Sequence, residues 1–273
     1  MKLYQNYIFD LYGTLVDIRT DEEQRALWDK MCLLYGGFGA VYTPEELHAL
    51  YKRLVSEKEK SAKEKNARES SIKEQNMGYQ GGEQNRRANE RLYAHESYPE
   101  IPIEDVFREL FAARGIMPSE EFVIYTGYLF RVLSTSHIRL YAGARELLQR
   151  LHEKNRGVYL LSNAQRIFTE RELRYLRIED CFDGILISSD YGVKKPDERF
   201  FRILLEKYRI APECALMIGN DLDSDIAGAK AAGMDTFYIH SGISPVSSRE
   251  EDADYTMKKM NLKVLQKRLL EEQ

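Results

Sequence analysis

The sequence predicts an α/β protein whose core is a doubly wound parallel sheet, interrupted after its first strand by a helical domain. Three observations predict it. Short apolar runs without polar alternation recur at residues 7–9, 158–161, 185–187, 215–218 and 236–239, the pattern of strands covered on both faces. Helical patterns fall between the later runs, as in a parallel sheet with helices on either side. Residues 19–138 carry helical patterns and no such runs.

In chain order, Tyr7-Ile8-Phe9 is the first strand, and Gly13-Thr14 turns the chain after it. Helices are expected over 21–34, 44–52, 103–114 and 119–133, with Trp28, Tyr35 and Phe38 in their core. Residues 56–91 hold only Ile72, Met77 and Tyr79 as large apolar side chains. Glu59/Lys63, Glu64/Arg68 and Glu69/Lys73 stand at i, i+4 there, fitting either a solvated helix or a partly disordered segment. Gly78, Gly81 and Gly82 then mark a loop or hinge. Beyond the insertion, helices are expected over 142–154, 166–176, 196–208 and 225–232, with Pro196 starting the third. Ligands of such sheets sit beyond the carboxyl ends of the strands. The loops starting at Asp10, Ser162, Ser188 and Gly219 therefore surround one crevice.

Composition narrows the function classes. The chain has 273 residues, enough for one large or two modest domains. With 43% hydrophobic and 31% charged residues it is neither collagen-like nor wholly disordered. A net charge of −4 offers no general polyanion-binding surface, so nucleic acid is not an expected partner. No run approaches the roughly 18 apolar residues of a membrane span. The opening MKLYQNYIFDLYGTLV reads as a strand, not a signal peptide. Cys32, Cys181 and Cys214 lack metal-type spacing and fit a reducing compartment. A cytoplasmic protein with no membrane partner is expected; oligomeric state is left open.

Four strand ends carry reactive groups. Asp10 interrupts an apolar run, and a carboxylate there is costly unless paired, hydrogen-bonded or metal-bound. It either accepts N–H groups of the turn or serves catalysis. Ser162-Asn163 precedes a helix and suits an N-cap or a bound anion. Lys194-Lys195 lies either on the surface or in the crevice, as a point charge for an anion. Asp221, Asp223 and Asp225 repel one another unless solvated or neutralised by a cation, and hard oxygen ligands suit Mg²⁺. An acidic turn capping the next helix is the alternative. His48, His95, His137, His152 and His240 show no ligand spacing, and Asp17 and Asp197 are assigned no chemistry. Arg86, Arg87 and Arg91 form either a solvated face or an approach to an anionic substrate.

In combination, IFDLYGTLVD, LLSNA, GVKKPDERFF and MIGNDLDSDIAGAKAAGM resemble the four motifs of the haloacid dehalogenase (HAD) hydrolase superfamily, over residues 10–17 and 140–240. The resemblance implies a Rossmann-like core at 1–18 and 139–273 and a mobile helical cap at 19–138. It implies that Asp10 is a nucleophile forming an aspartyl intermediate. Thr14, Ser162 and the backbone at Asn163 would hold the transferring group, and Lys195 would neutralise Asp10 and the substrate anion. Asp221, supported by Asp225, would hold Mg²⁺ together with Asp10 and the Tyr12 carbonyl. The implied activity is Mg²⁺-dependent hydrolysis of a small phosphorylated metabolite through an aspartyl-phosphate.

One position departs from that pattern. The phosphatases of the superfamily carry a second aspartate two residues after the nucleophile, as general acid and base; Tyr12 stands there. A phenol titrating near ~10 donates and accepts protons poorly at neutrality. DLYGT resembles instead the 2-haloacid dehalogenase branch, which needs no metal and whose leaving halide needs no proton. That branch also carries a cap arginine, and Ala40 and Val41 stand in its place. A metal-independent dehalogenase is thus one alternative, and a weakly active protein binding a phosphorylated ligand or partner is another. The acidic cluster favours the phosphatase, because gathered negative charge costs energy that a cation offsets.

Overall fold

The computed structural model describes residues 1–77, 98–246 and 252–270. The chain begins with β1 (Asn6–Phe9) and β2 (Val16–Thr20). Helices α1 (Arg25–Gly37), α2 (Pro44–Met77), α3 (Ile103–Ala112) and α4 (Glu120–Ser134) follow, closed by β3 (Thr135–Leu140). Alternation then sets in with α5 (Ala144–Glu153), β4 (Gly157–Ser162), α6 (Arg166–Leu176) and β5 (Gly184–Ile187). It continues through α7 (Glu198–Tyr208), β6 (Ala215–Gly219), α8 (Ala227–Ala231) and β7 (Asp235–Ile239). The C-terminal pieces are β8 (Tyr255–Met257) and α9 (Leu262–Leu270).

Six strands form one parallel sheet in the order β5-β4-β1-β6-β7-β8. Phe9 pairs with Leu160 on one side and Ile218 on the other, so the order reverses around β1. A crevice opens at such a reversal because successive helices leave toward opposite faces. Alternate side chains feed two cores. Tyr7 and Phe9 meet Leu147, Leu148 and Leu151 of α5 and Leu262, Leu265 and Leu269 of α9. Ile8 and Met217 meet Phe200, Phe201, Leu204 and Leu205 of α7 on the opposite face. The unbroken apolar strands are thus explained by burial on both sides.

The insertion has its own core. Leu27, Trp28, Met31 and Tyr35 recur at helical spacing on α1 and pack with Val106, Phe107, Leu110 and Phe111 of α3. Trp28 and Tyr35 are buried as expected, whereas Phe38 is 52% exposed: it follows the end of α1, where only one side meets Phe122. Ile167 and Phe168 of α6 join this core, while Leu173 and Leu176 of the same helix join the sheet's. Helix α6 is therefore shared by the two layers.

Several sequence expectations are corrected. The helix expected over 44–52 runs on to Met77, so of the two readings offered for 56–91 the helical one holds as far as residue 77, along a polar stretch rich in good helix formers. The hinge at Gly78–Gly82, His95 and the arginines Arg86, Arg87 and Arg91 lie outside the described residues. Pro196 does not start α7; Asp197 caps it, accepting from Arg199 N at 3.0 Å. The helix expected over 225–232 is a π-turn at Leu222–Ile226 followed by the short α8. An antiparallel ribbon of β2 and β3 joins the insertion to the sheet and spans both expected domain boundaries. It escaped the sequence reading because its exposed face carries Asp17, Arg19, His137 and Arg139, with no continuous apolar run. Asp17 pairs there with Arg139 at 2.7 Å and with His137 at 3.2 Å. Among the described residues no helix is long and apolar enough to cross a membrane.

Candidate active site

Asp10 follows β1 directly, its N–H donating to Ile218 O at 2.9 Å. Leu11 O then accepts from the N–H groups of Thr14, Leu15 and Val16, closing a tight turn. Gly13 (φ 85°) permits that turn; a Cβ there would lie 2.4 Å from Asn220 Nδ2. Thr14 is thereby aimed back at the strand end, with Oγ1 at 3.4 Å from Asp10 Oδ2 and 3.3 Å from Asn220 Oδ1.

Lys195 is the hub. Its buried ammonium donates to Asp10 Oδ1 at 2.7 Å, to Asp225 Oδ1 at 2.6 Å and to Leu161 O at 2.8 Å. Those three bonds use all its protons. Burial alone would favour the neutral amine, but the charges of Asp10 and Asp225 outweigh it and hold Lys195 above its ordinary pKa. At Asp225 burial prevails. Burial pushes its carboxyl up to about 7, with Asp10 and Asp221 adding repulsion and Lys195 only partly compensating. Its second oxygen accepts from Asp221 N at 3.1 Å. Gly219 makes room for this carboxylate, since a Cβ there would sit 2.2 Å from Asp225 Oδ2.

The remaining sequence candidates arrange themselves around that hub. Asn163 spends its amide on the Lys195 backbone, with Nδ2 to O at 2.9 Å and N to Oδ1 at 2.8 Å. Ser162 is fully buried, and its Oγ has no partner among the described residues. Asp221 caps the π-turn through Oδ1, which accepts from Asp223 N at 2.9 Å and Ser224 N at 3.1 Å. Asp223 points outward and is exposed. The acidic cluster thus divides into one cap, one lysine partner and one surface residue.

Tyr12 sends its side chain away from this group. Its hydroxyl donates to Glu172 Oε2 and lies 3.0 Å from Thr169 Oγ1, both on α6. Arg131 of α4 donates to the other Glu172 oxygen at 2.6 Å. Burial and the Glu172 charge drive the phenol far above its ordinary pKa, with Arg131 opposing. Sequence patterns carry no signal for Arg131, Thr169 or Glu172, which meet only through the packing of α4 on α6. Ala40 is buried and Val41 exposed, and neither can contribute a cation.

The donor set can be tested against Mg²⁺. Among the described residues no three His, Cys, Asp or Glu side chains converge as a metal cage. Mg²⁺ does not require one, since it keeps several waters and uses one or two carboxylates. Among the described residues Asp10 Oδ1 has a lone pair beyond its Lys195 bond, Oδ2 meets only the long Thr14 contact, and Asp221 keeps an oxygen beyond its cap bonds. Both oxygens of Asp225 are occupied, so it suits a supporting position. Lys195 pairs with Asp10 and Asp225, while Asp221 adds a third carboxylate beside them, and burial above all, with repulsion from Asp10 and Asp221, raises the Asp225 carboxyl. A divalent cation fits such a group of carboxylates.

A parallel sheet whose carboxyl-end loops bring together a carboxylate, a lysine and an acidic turn, with a helical insertion after the first strand, is the architecture of a class of hydrolases. The chain belongs to the haloacid dehalogenase-like hydrolases, whose family model matches residues 4–233. It is 34% identical over 107 residues to the glyceraldehyde 3-phosphate phosphatase of Pyrococcus furiosus, covering 39% of this chain and 45% of that protein. It is 30% identical over 142 residues to the phosphoserine phosphatase of Thermus thermophilus, covering 52% and 56%. The chain thus spans about half the length of the curated relatives it matches. A 2-haloacid dehalogenase structure from Pseudomonas syringae shares the fold, with TM-score 0.57, 19% identity and coverage of 93% and 94%.

Proposed function

We propose that this chain is a Mg²⁺-dependent hydrolase of a small phosphorylated metabolite, with residues 19–138 acting as the cap that selects it in a cytoplasmic setting. The observation that carries this reading is the Lys195 clamp on Asp10 Oδ1 at 2.7 Å, which leaves Oδ2 as the oxygen available for attack. In this mechanism Oδ2 forms a bond to phosphorus as the ester P–O bond breaks, the departing alkoxide takes its proton from solvent water, and a later water attacks phosphorus, returning a proton to solvent as the Oδ2–P bond breaks and phosphate leaves. Lys195 orients the nucleophile through Oδ1 and faces the substrate anion. Ser162 Oγ, buried and unpartnered, donates to a phosphoryl oxygen, as does Thr14 Oγ1 on the other side of Asp10. Asn163 fixes the Lys195 backbone. Asp10, Asp221 and the Tyr12 carbonyl would hold Mg²⁺, with Asp225 in support; when bound it supplies charge that offsets repulsion between carboxylate and phosphate. The phosphatase relatives support the choice of ester.

Phosphate release from p-nitrophenyl phosphate and a panel of sugar and amino-acid phosphates tests the reading. Turnover should vanish with Asp10→Asn and with EDTA, and return when Mg²⁺ is restored. Activity that survives both treatments overturns it.

A second reading, metal-independent displacement of halide from a 2-haloacid, is favoured by the engagement of the Tyr12 hydroxyl with Glu172, because departing halide needs no proton. Chloride release from 2-chloropropionate in EDTA would select it over the first.

A further inference from the structure

The segment that leads into α3 is stitched onto the loop that carries Lys195. Lys194 N donates to Tyr98 O at 2.9 Å and Glu100 N to Gly192 O at 3.1 Å, with Pro99 bridged to Val193 between them. Within this strap the Glu100 side chain is only 10% exposed, with Lys194 Nζ 3.9 Å from its Oε1. Its Oε2 accepts from Ser188 Oγ at 2.9 Å, and its Oε1 from Gln165 Nε2 at 3.2 Å. Ser188 Oγ in turn accepts Ala164 N at 2.9 Å. Gln165 also donates to Ile101 O at 2.9 Å and accepts from Ile103 N at 3.1 Å, satisfying the first N–H of α3. Two crevice loops therefore converge on one carboxylate supplied by the insertion. One runs from Ser162 to Gln165, the other from Ser188 to Lys195. Asn163 and Lys195, joined by their own paired hydrogen bonds, stand where the loops meet.

We propose that Glu100 is a positioning residue, whose carboxylate locks both loops so that docking of the insertion and alignment of Lys195 with Asp10 are a single event. Charge-assisted bonds at both oxygens are stronger and more directional than neutral ones. Removing them leaves Ser188 Oγ with only its Ala164 N and O contacts, and the Gln165 amide with only Ile101 O and Ile103 N, so the insertion no longer ties the Ser162–Gln165 loop to the loop that carries Lys195. A nucleophile and its lysine tolerate little of this, because displacement by about 1 Å costs on the order of 10²-fold in rate.

The inference rests on the hydrolase reading for its kinetic arm, and a second arm is independent of activity. Glu100→Ala, Glu100→Gln and Ser188→Ala are assayed with p-nitrophenyl phosphate and Mg²⁺, and amide hydrogen exchange is followed over 162–166 and 192–196. Glu100→Ala should lower kcat by about 10- to 100-fold, with a smaller change in KM and faster exchange in both loops. Exchange in β1 and β4 should stay as in the parent, showing that the fold is intact. Glu100→Gln keeps one acceptor oxygen and should recover part of kcat. Unchanged exchange, with or without a kinetic loss, overturns the proposal, as does faster exchange with kcat unaltered. Should the parent hydrolyse no phosphate ester, the hydrolase reading fails while loop exchange in Glu100→Ala still decides whether Glu100 holds the loops.

Discussion

Arg131 and Glu172 form an ion pair across the junction of the insertion and the sheet, Nε to Oε1 at 2.6 Å, with side chains 14% and 10% exposed. The remaining Glu172 oxygen accepts the Tyr12 hydroxyl. Such a pair is defined by what its loss leaves behind. Removing one partner strands a buried charge, typically at about 3–5 kcal/mol, whereas an apolar pair of similar volume is often neutral. Arg131→Met should destabilise the chain by about 3 kcal/mol in urea unfolding, and Arg131→Met with Glu172→Leu should recover much of that. Purely additive losses in the double-mutant cycle would mean that the two side chains do not depend on each other.

Tyr12→Phe separates packing from chemistry. Deleting the hydroxyl removes a donor from a buried carboxylate, which costs about 1–3 kcal/mol. Since that hydroxyl points to α6 and its pKa lies far above neutrality, kcat toward p-nitrophenyl phosphate should be nearly unchanged. A fall of about 10²-fold or more would instead assign the phenol a proton-transfer role.

The sheet was legible because β1, β4, β5, β6 and β7 are short, apolar and buried on both faces, so composition alone marks them. The crevice followed, since Asp10, Ser162 and Asp221 stand at or just beyond strand ends and Lys195 lies in the long loop that leaves β5, where topology gathers them. Long-range pairings left no such trace. Glu100 touches Ser188 across 88 residues, and Arg131 touches Glu172 across 41. Neither lies in a periodic pattern. The division of labour among Asp221, Asp223 and Asp225 was equally hidden, because the π-turn that separates their side chains depends on Asp221 acting as its own cap.

Gly219 is the position where a single methyl should disable the site. Its virtual Cβ falls 2.2 Å from Asp225 Oδ2 and 2.3 Å from Cγ, closer than any real contact. Asp225 is buried against Lys195 and cannot swing into open space. Gly219→Ala should therefore displace Asp225, release one of the three Lys195 bonds, and reduce kcat by about 10²-fold through misplacement of the lysine. The far-ultraviolet spectrum should remain that of a folded α/β protein. Full activity in this variant would show that the Lys195–Asp225 contact is dispensable.

The charge balance of the hub makes stability depend on pH in a definite direction. Asp225 holds its proton up to about 7 in the folded chain, against 3.8 when unperturbed. The folded state thus binds this proton more tightly than the unfolded one. Its stabilising contribution is complete below about pH 4 and is lost as pH rises through about 7. Lys195, shifted upward from 10.5, stays charged across that range and adds no slope there. In EDTA, the urea midpoint should fall between pH 5.5 and 8 more steeply for the parent than for Asp225→Asn. A divalent cation beside Asp10 and Asp221 opposes the same proton, because carboxylate ligands bind metal in their ionised form. Added Mg²⁺ should raise Tm more at pH 8 than at pH 6, by the linkage between site occupancy and stability. Equal shifts at both pH values, or none, would show that the carboxylates around Lys195 are not neutralised by Mg²⁺.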